Sequence, residues 1–190
     1  MKKEIIAGVD EVGRGCIAGP VVSAAVILKH SINLNLLKDS KKITFNKREK
    51  IAEHIKENSY YAIGTASVDE ILNLNILQAS LLSMKRALER LTLKPSLTLI
   101  DGNFAPKGLQ NYKTIINGDE KIKVISAASI IAKVYRDKFM IKLSKKFSDY
   151  AWERNFGYGT KAHLEGLKKF GITLHHRKGF KPVHNMLSSY

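Results

Sequence analysis

"IIAGVDEVGRGCIAGPVV", residues 5–22, is the stretch from which the fold class can be read. A short apolar run stops at two adjacent carboxylates, Asp10 and Glu11. Gly13-Arg14-Gly15 follows, and a second apolar run begins at once. Apolar runs of this length, rich in β-branched residues and bounded by glycine, predict buried strands. "EIIAGVD" (4–10) and "PVVSAAVILK" (20–29) are therefore expected as neighbouring strands, the first tipped with carboxylates and joined to the second by an arginine loop.

The rest of the chain extends this start. "NKREKIAEHIKEN" (46–58) sets Ile51 and Ile55 four apart among charges and predicts a short amphipathic helix, and "YYAIGTASV" (60–68) a third strand. "ILQASLLSMKRALERL" (76–91) spaces Leu77, Leu81, Met84, Leu88 and Leu91 by fours and threes, the pattern of a helix with one apolar stripe. "SLTLID" (96–101) and "YKTIIN" (112–117) predict two more strands. "ISAASIIAKVYRDKFMIKLSKKF" (125–147) predicts a long helix whose apolar face Asp137 and Lys138 interrupt for a turn. Its string Ser126-Ala127-Ala128-Ser129 is expected to permit close packing. A last helix is expected over 160–171, closed by Gly171, and then a basic, loop-like tail over 172–190. Three strands followed by alternating helix and strand describe an α/β fold: a mixed five-stranded sheet flanked by helices. Residues 1–190 are expected as one domain, those from about 150 onward forming a small helical and loop extension.

Net charge narrows the function. Thirty-two Lys and Arg against seventeen acids leave the chain at +15. Such an excess reads either as solubility or as the footprint of a polyanion, most often nucleic acid. A single cysteine, Cys16, excludes an internal disulfide and fits a reducing compartment. Neither a signal peptide nor an apolar run long enough for a membrane span is recognisable, so a cytoplasmic location is expected.

In a chain short of acids, four stand where strands terminate: Asp10, Glu11, Asp101 and Asp119. Each has a plainer reading. Asp101-Gly102 is a common turn, Asp119 could cap the following helix, and Asp10-Glu11 could be solvated loop charge. Together they could meet at one edge of the sheet, where mutual repulsion would raise their pKa values unless a hard divalent cation such as Mg²⁺ relieved it. Gly13-Arg14-Gly15 reads as a tight turn, or as backbone that a ligand approaches closely with an arginine for a phosphate. No phosphate-binding glycine–lysine loop and no zinc-type Cys/His spacing is present. His163, His175 and His176, near the basic tail, are expected to serve solubility or phosphate contact rather than proton transfer.

"GVDEVGRGCIAGPVV", "LKDSKK", "LIDGN", "GDEKIKVISAASIIAKVYRD", "GYGTKAHLEGL" and "HHRKGFKPV" resemble, in order, the signature blocks of bacterial ribonuclease HII, the type 2 ribonuclease H family. The blocks run from residue 7 to 183. The resemblance implies a ribonuclease H-like fold and endonucleolytic cleavage of RNA in RNA–DNA hybrids. It also implies incision 5′ of single ribonucleotides embedded in duplex DNA, leaving 5′-phosphate and 3′-hydroxyl ends. On the same ground Asp10, Glu11, Asp101 and Asp119 are the expected ligands of Mg²⁺ or Mn²⁺, two ions once substrate is bound. Gly13, Arg14 and Gly15 would read the nucleotide through the backbone, Tyr158 would sense the junction, and Lys41 would stand near a phosphate. The family usually has serine before the phenylalanine of the last block, where this chain has Gly179 before Phe180. A monomer without an obligate protein partner is expected, and "HNMLSSY" (184–190) offers no recognisable clamp-binding peptide. The competing readings are a type 3 ribonuclease H and a basic nucleic-acid-binding module without catalysis.

Overall fold

A computed structural model of the chain describes residues 4–29 and 44–188. Five strands, β1 (Ile6–Val12), β2 (Val21–Leu28), β3 (Ser59–Ala66), β4 (Leu97–Asp101) and β5 (Tyr112–Ile115), form one sheet in the order β3-β2-β1-β4-β5. The first three make an antiparallel meander, whereas β4 and β5 run parallel to β1. The mixed sheet expected from the sequence is therefore present.

Strand alternation supplies two cores. Ala24 and Val26 of β2 face one way, onto Ile51, Ala52 and Ile55 of α1 (Phe45–Glu57) and onto Ala127, Ile130 and Ile131 of α5 (Lys123–Ser144). Ala7, Val9, Ala25 and Ile27 face the other way, onto Met84 and Ala87 of α3 (Ile76–Glu89). Two short helices escaped the periodicity reading, α2 (Val68–Leu74) and α4 (Gly118–Lys121), because one or two turns carry too little pattern. Ser67 starts α2 with a capping box to Glu70, a signal that was legible in "SVDE".

After α5 come a 3₁₀ turn (Ser148–Tyr150), α6 (Trp152–Asn155), α7 (Lys161–Phe170) and α8 (Lys181–Leu187). The tail is thus not all loop: α8 lies within the span expected to be irregular. Pro182 at its first turn suits a helix start, since an orphan N–H is absent there anyway. These helices share a core, built on Tyr150, Trp152, Leu167 and Val183, with Ile17 and Ala18 of the β1–β2 loop and Met140 of α5. The extension therefore packs directly on the loop that the opening stretch encodes. Phe180 packs against both this core and the cluster of Val21, Ala66 and Ile71. A Cβ at Gly179 would meet Leu72 at 3.4 Å, an ordinary contact, so space does not impose the glycine.

Candidate active site

Three parallel strands point the same ends toward one edge of the sheet, and the candidate acids stand there. β1 runs alongside β4 as far as Val9 opposite Ile100, so Asp10 and Asp101 are next along their strands. Pairing with β2 continues to Val12, placing Asp10 and Glu11 inside β1 rather than beyond it. The sequence could not show this extension, because the partner residues Ser23 and Val22 lie on the other side of the loop. Past β5, Asn117 adopts a left-handed conformation and turns the chain into α4. The N–H of Gly118 then donates to Asp101 Oδ1 at 2.6 Å, and that of Asp119 lies 3.4 Å from the same oxygen.

Asp10 lies on the α5 side of the sheet, as its strand alternation with Gly8 requires. A Cβ on Gly8 would stand 2.3 Å from the backbone of Val124, so helix and strand touch main chain to main chain. That contact lies just before the small-residue string, and the same helix brings Ser129 to Asp10 as a hydrogen-bond donor. Burial raises Asp10 well above the ordinary carboxylate range, and the charges of Glu11 and Asp101 add to the effect. Glu11 is raised by burial and by Asp101, partly offset by Arg14, whose Nη1 donates to its Oε1 at 3.1 Å. The second oxygen, Glu11 Oε2, is buried without a partner. The side chain of Arg14 is thus committed to Glu11 here, rather than held out for a phosphate.

Three of the four predicted acids, Asp10, Glu11 and Asp101, form one electrostatic group, and Asp119 joins it through its backbone. Among the described residues no three His, Cys, Asp or Glu side chains are disposed to hold a metal by themselves. This donor set fits an open site for a hard divalent cation, completed by water and phosphate, and does not fit a closed protein cage. Coupled, desolvated carboxylates with one orphan oxygen are what such a cation would relieve.

Beside the acids opens a groove of about 250 Å³ lined by Glu11, Arg48, Ser129, Lys133 and Tyr158, among others. Tyr158 is 40% exposed at its rim. Gly15 adjoins that ring, a Cβ built on it standing 3.9 Å from the tyrosine Cε1. Gly13 has φ +94°, and its own Cβ would overlap the Arg136 guanidinium at 2.2 Å, so both backbone and space demand glycine there. Lys41 lies outside the described residues.

The family model for ribonuclease HII matches residues 7–183. The chain belongs to the ribonuclease HII family. A ribonuclease HII from Pelagibacter ubique (strain HTCC1062) is 60% identical over 186 residues, 97% of this chain and 100% of that one. At this likeness the chain is a ribonuclease H, a hydrolase of the nuclease class. Among solved structures, the ribonuclease H2 of Pyrococcus horikoshii OT3 superposes with a TM-score of 0.80 at 26% identity, covering 97% of each chain. The ribonuclease HII of Archaeoglobus fulgidus, solved in complex with PCNA, gives 0.72 at 26% identity, covering 93% of this chain and 95% of that one. Bst-RNase HIII in complex with Mn²⁺ gives 0.76 at 18% identity, covering 98% of this chain and 70% of that one, a likeness of fold alone.

Arg136, which shapes this ribonuclease HII site, was not singled out in the sequence, and the roles of other residues were misjudged. Charge does interrupt the apolar face of α5, but the buried pair is Arg136 and Asp137; Lys138 is half-exposed and pairs with Glu49. Asp137 holds Lys133 at 2.7 Å on the groove's rim. A second correction concerns the histidines. His163 and His176 are fully buried, not surface groups. His163 Nδ1 lies 2.8 Å from the Tyr158 carbonyl, so it is the protonated nitrogen and donates. His163 Nε2 is then bare, and its single lone pair is shared between the N–H of Trp152 Nε1 at 3.0 Å and that of His176 Nε2 at 3.1 Å. His176 Nδ1 in turn accepts from the Thr173 N–H at 2.9 Å. Every ring nitrogen is satisfied with both imidazoles neutral. Aromatic packing around a histidine pair at this spacing was the one legible hint, in Tyr150, Trp152 and His163.

Proposed function

We propose that the chain hydrolyses the RNA strand of RNA–DNA hybrids and incises 5′ of single ribonucleotides embedded in duplex DNA, leaving 5′-phosphate and 3′-hydroxyl ends. The observation that carries this reading is the groove shared by Glu11 and Tyr158. It joins Glu11, one of the grouped carboxylates, to an exposed aromatic ring that the backbone of Gly15 adjoins, at the scale of one nucleotide. Asp10 and Asp101 would hold the divalent cation, Mg²⁺ or Mn²⁺, with Glu11 and Asp119 completing its surroundings. When bound, that ion supplies charge for the scissile phosphate and acidifies the attacking water. Ser129 orients Asp10, while the Gly118 N–H fixes one Asp101 oxygen and leaves the other to the site. Loop 13–15 meets the 2′-hydroxyl, the group that tells RNA from DNA. Tyr158 packs on the sugar that follows. Attack by water rather than by the adjacent 2′-hydroxyl accounts for the product ends.

The reading extends to one domain acting as a monomer, sufficient by itself for incision. Asp10→Asn and Asp101→Asn should each abolish cleavage of a labelled duplex carrying one ribonucleotide, and leave its binding within a few-fold. Each removes a charge at the site without removing a cation that tracks the phosphates. Near-normal turnover by purified Asp101→Asn at ordinary Mg²⁺ would overturn the assignment. Binding without cleavage by the unaltered chain would favour the non-catalytic module instead.

A further inference from the structure

The loop that leaves β1 rests on two arginines outside the carboxylate group. Arg136, on α5, and Arg177, just before α8, are 0% and 1% exposed. Arg136 donates to the carbonyls of Pro20 (2.9 Å), Phe156 (2.7 Å) and Ala18 (2.9 Å). Arg177 donates from Nε to Gly19 O at 2.9 Å and from Nη1 to Arg14 O at 3.0 Å. Its Nη2 is buried with no partner. Neither guanidinium forms an ion pair with a carboxylate among the described residues. Adjacent buried like charges and an orphan donor both cost stability. Such costs are characteristically found where a site demands a fixed geometry.

What Arg177 fixes is one peptide of the recognition loop. A trans peptide directs its C=O and N–H oppositely. With the Arg14 carbonyl turned inward onto Arg177, the N–H of Gly15 faces outward. Gly15 is exposed beside the Tyr158 ring, and its N–H has no protein partner among the described residues. Three neighbouring peptides held by the same arginines have no such free donor. The Gly19 N–H is taken by His175 O at 2.8 Å, residue 20 is proline, and the Gly157 N–H is taken by Asn155 Oδ1.

We infer that Arg177 is a positioning residue for ribonucleotide recognition: by holding the Arg14 carbonyl inward, it keeps the Gly15 N–H presented to the 2′-hydroxyl oxygen of a ribose lying against Tyr158. The inference rests on the recognition reading given above. It distinguishes Arg177 from a residue that merely stabilises the fold, because the donor it presents meets an atom that only RNA has.

The test measures selectivity in an Asp10→Asn background, where substrate is not consumed. Affinities for a duplex with one ribonucleotide and for the same all-DNA duplex are measured by fluorescence anisotropy, and the ratio of the first to the second is taken. Arg177→Met should lower that ratio about three- to tenfold, roughly one hydrogen bond, with all-DNA affinity unchanged within about twofold. Equal weakening of both duplexes, with the ratio kept, would overturn the inference and leave Arg177 a structural residue. If circular dichroism shows that the Met variant is unfolded, Arg177→Lys carries the test. A single ammonium lacks the fork that holds both carbonyls, so the ratio should fall about threefold, and an unchanged ratio in the folded Lys variant overturns the inference. A ratio near one in the Asp10→Asn parent removes the recognition reading itself, before Arg177 comes into question.

Discussion

At Tyr158 the ring and the hydroxyl have different surroundings. The ring lines the groove, with Lys133 Nζ 6.0 Å from its centroid, while the hydroxyl turns inward to the Cys16 thiol. A sulfur partner is weak, so the ring is expected to carry the contact with substrate. Tyr158→Phe should retain most activity. Tyr158→Ala should lower incision at a single ribonucleotide by about fivefold, given ~1–3 kcal/mol for stacking of a base on an aromatic ring and about the lower end of that for a sugar. It should harm cleavage of a long RNA tract less, because a tract offers many registers. Rates of the three proteins on both substrates decide the matter, and equal losses would make Tyr158 a general support.

Two glycines mark where helices touch the sheet, and they separate stability from catalysis. A Cβ at Gly64, on β3, would meet Ser83 O of α3 at 2.0 Å; one at Gly8 would meet the Val124 backbone of α5 at 2.3 Å. Backbone cannot yield as a side chain tip can, so either alanine should cost about 1–3 kcal/mol. For a chain of this size that lowers Tm by roughly 2–4 °C per kcal/mol. Only α5 carries Ser129 to Asp10. Gly8→Ala should therefore also lower the turnover rate of the protein that remains folded, whereas Gly64→Ala should lose stability alone. Thermal melts paired with initial rates well below Tm would separate the two, and unimpaired turnover in Gly8→Ala would mean that the Ser129 contact is dispensable.

Over the whole molecule, charge and burial make opposite demands on pH and salt. Burial, with His163 nearby, drives His176 from 6.5 to about 3. Between those values the unfolded chain binds a proton that the folded chain refuses, so stability falls as pH drops from about 6.5 toward 3. The loss is at most roughly 1.4 kcal/mol per pH unit for this group. Urea midpoints at pH 7.5, 6 and 5 should fall accordingly, and His176→Gln should flatten the trend; an unchanged slope would mean that the pair is not buried neutral. The +15 charge concerns binding. If it tracks phosphates, affinity for a duplex should fall about 0.9 log unit per log unit of salt for each phosphate neutralised. Titrations of the Asp10→Asn protein between low and physiological salt measure the slope, and a flat one would reduce the lysines to solubility charge.

The sequence by itself determined the strands and the long helices, because apolar periodicity is local, and it marked four acids at strand ends as candidates. It also determined the family, since the signature blocks lie along nearly the whole chain. What it could not determine is which acids couple. Asp10 meets Asp101 only because β1 and β4 are parallel neighbours, and Asp119 reaches the group through its backbone only because Asn117 reverses the chain. Nor could it reveal the burial of Arg136, Arg177, His163 and His176. By composition these are surface residues. They are buried because the extension after residue 148 closes over the β1–β2 loop; for Arg177 the hydrogen-bond partners become that loop's own carbonyls, 158 and 163 residues distant. Pairings at such separation leave no periodic trace in a chain, so tertiary structure alone decides them.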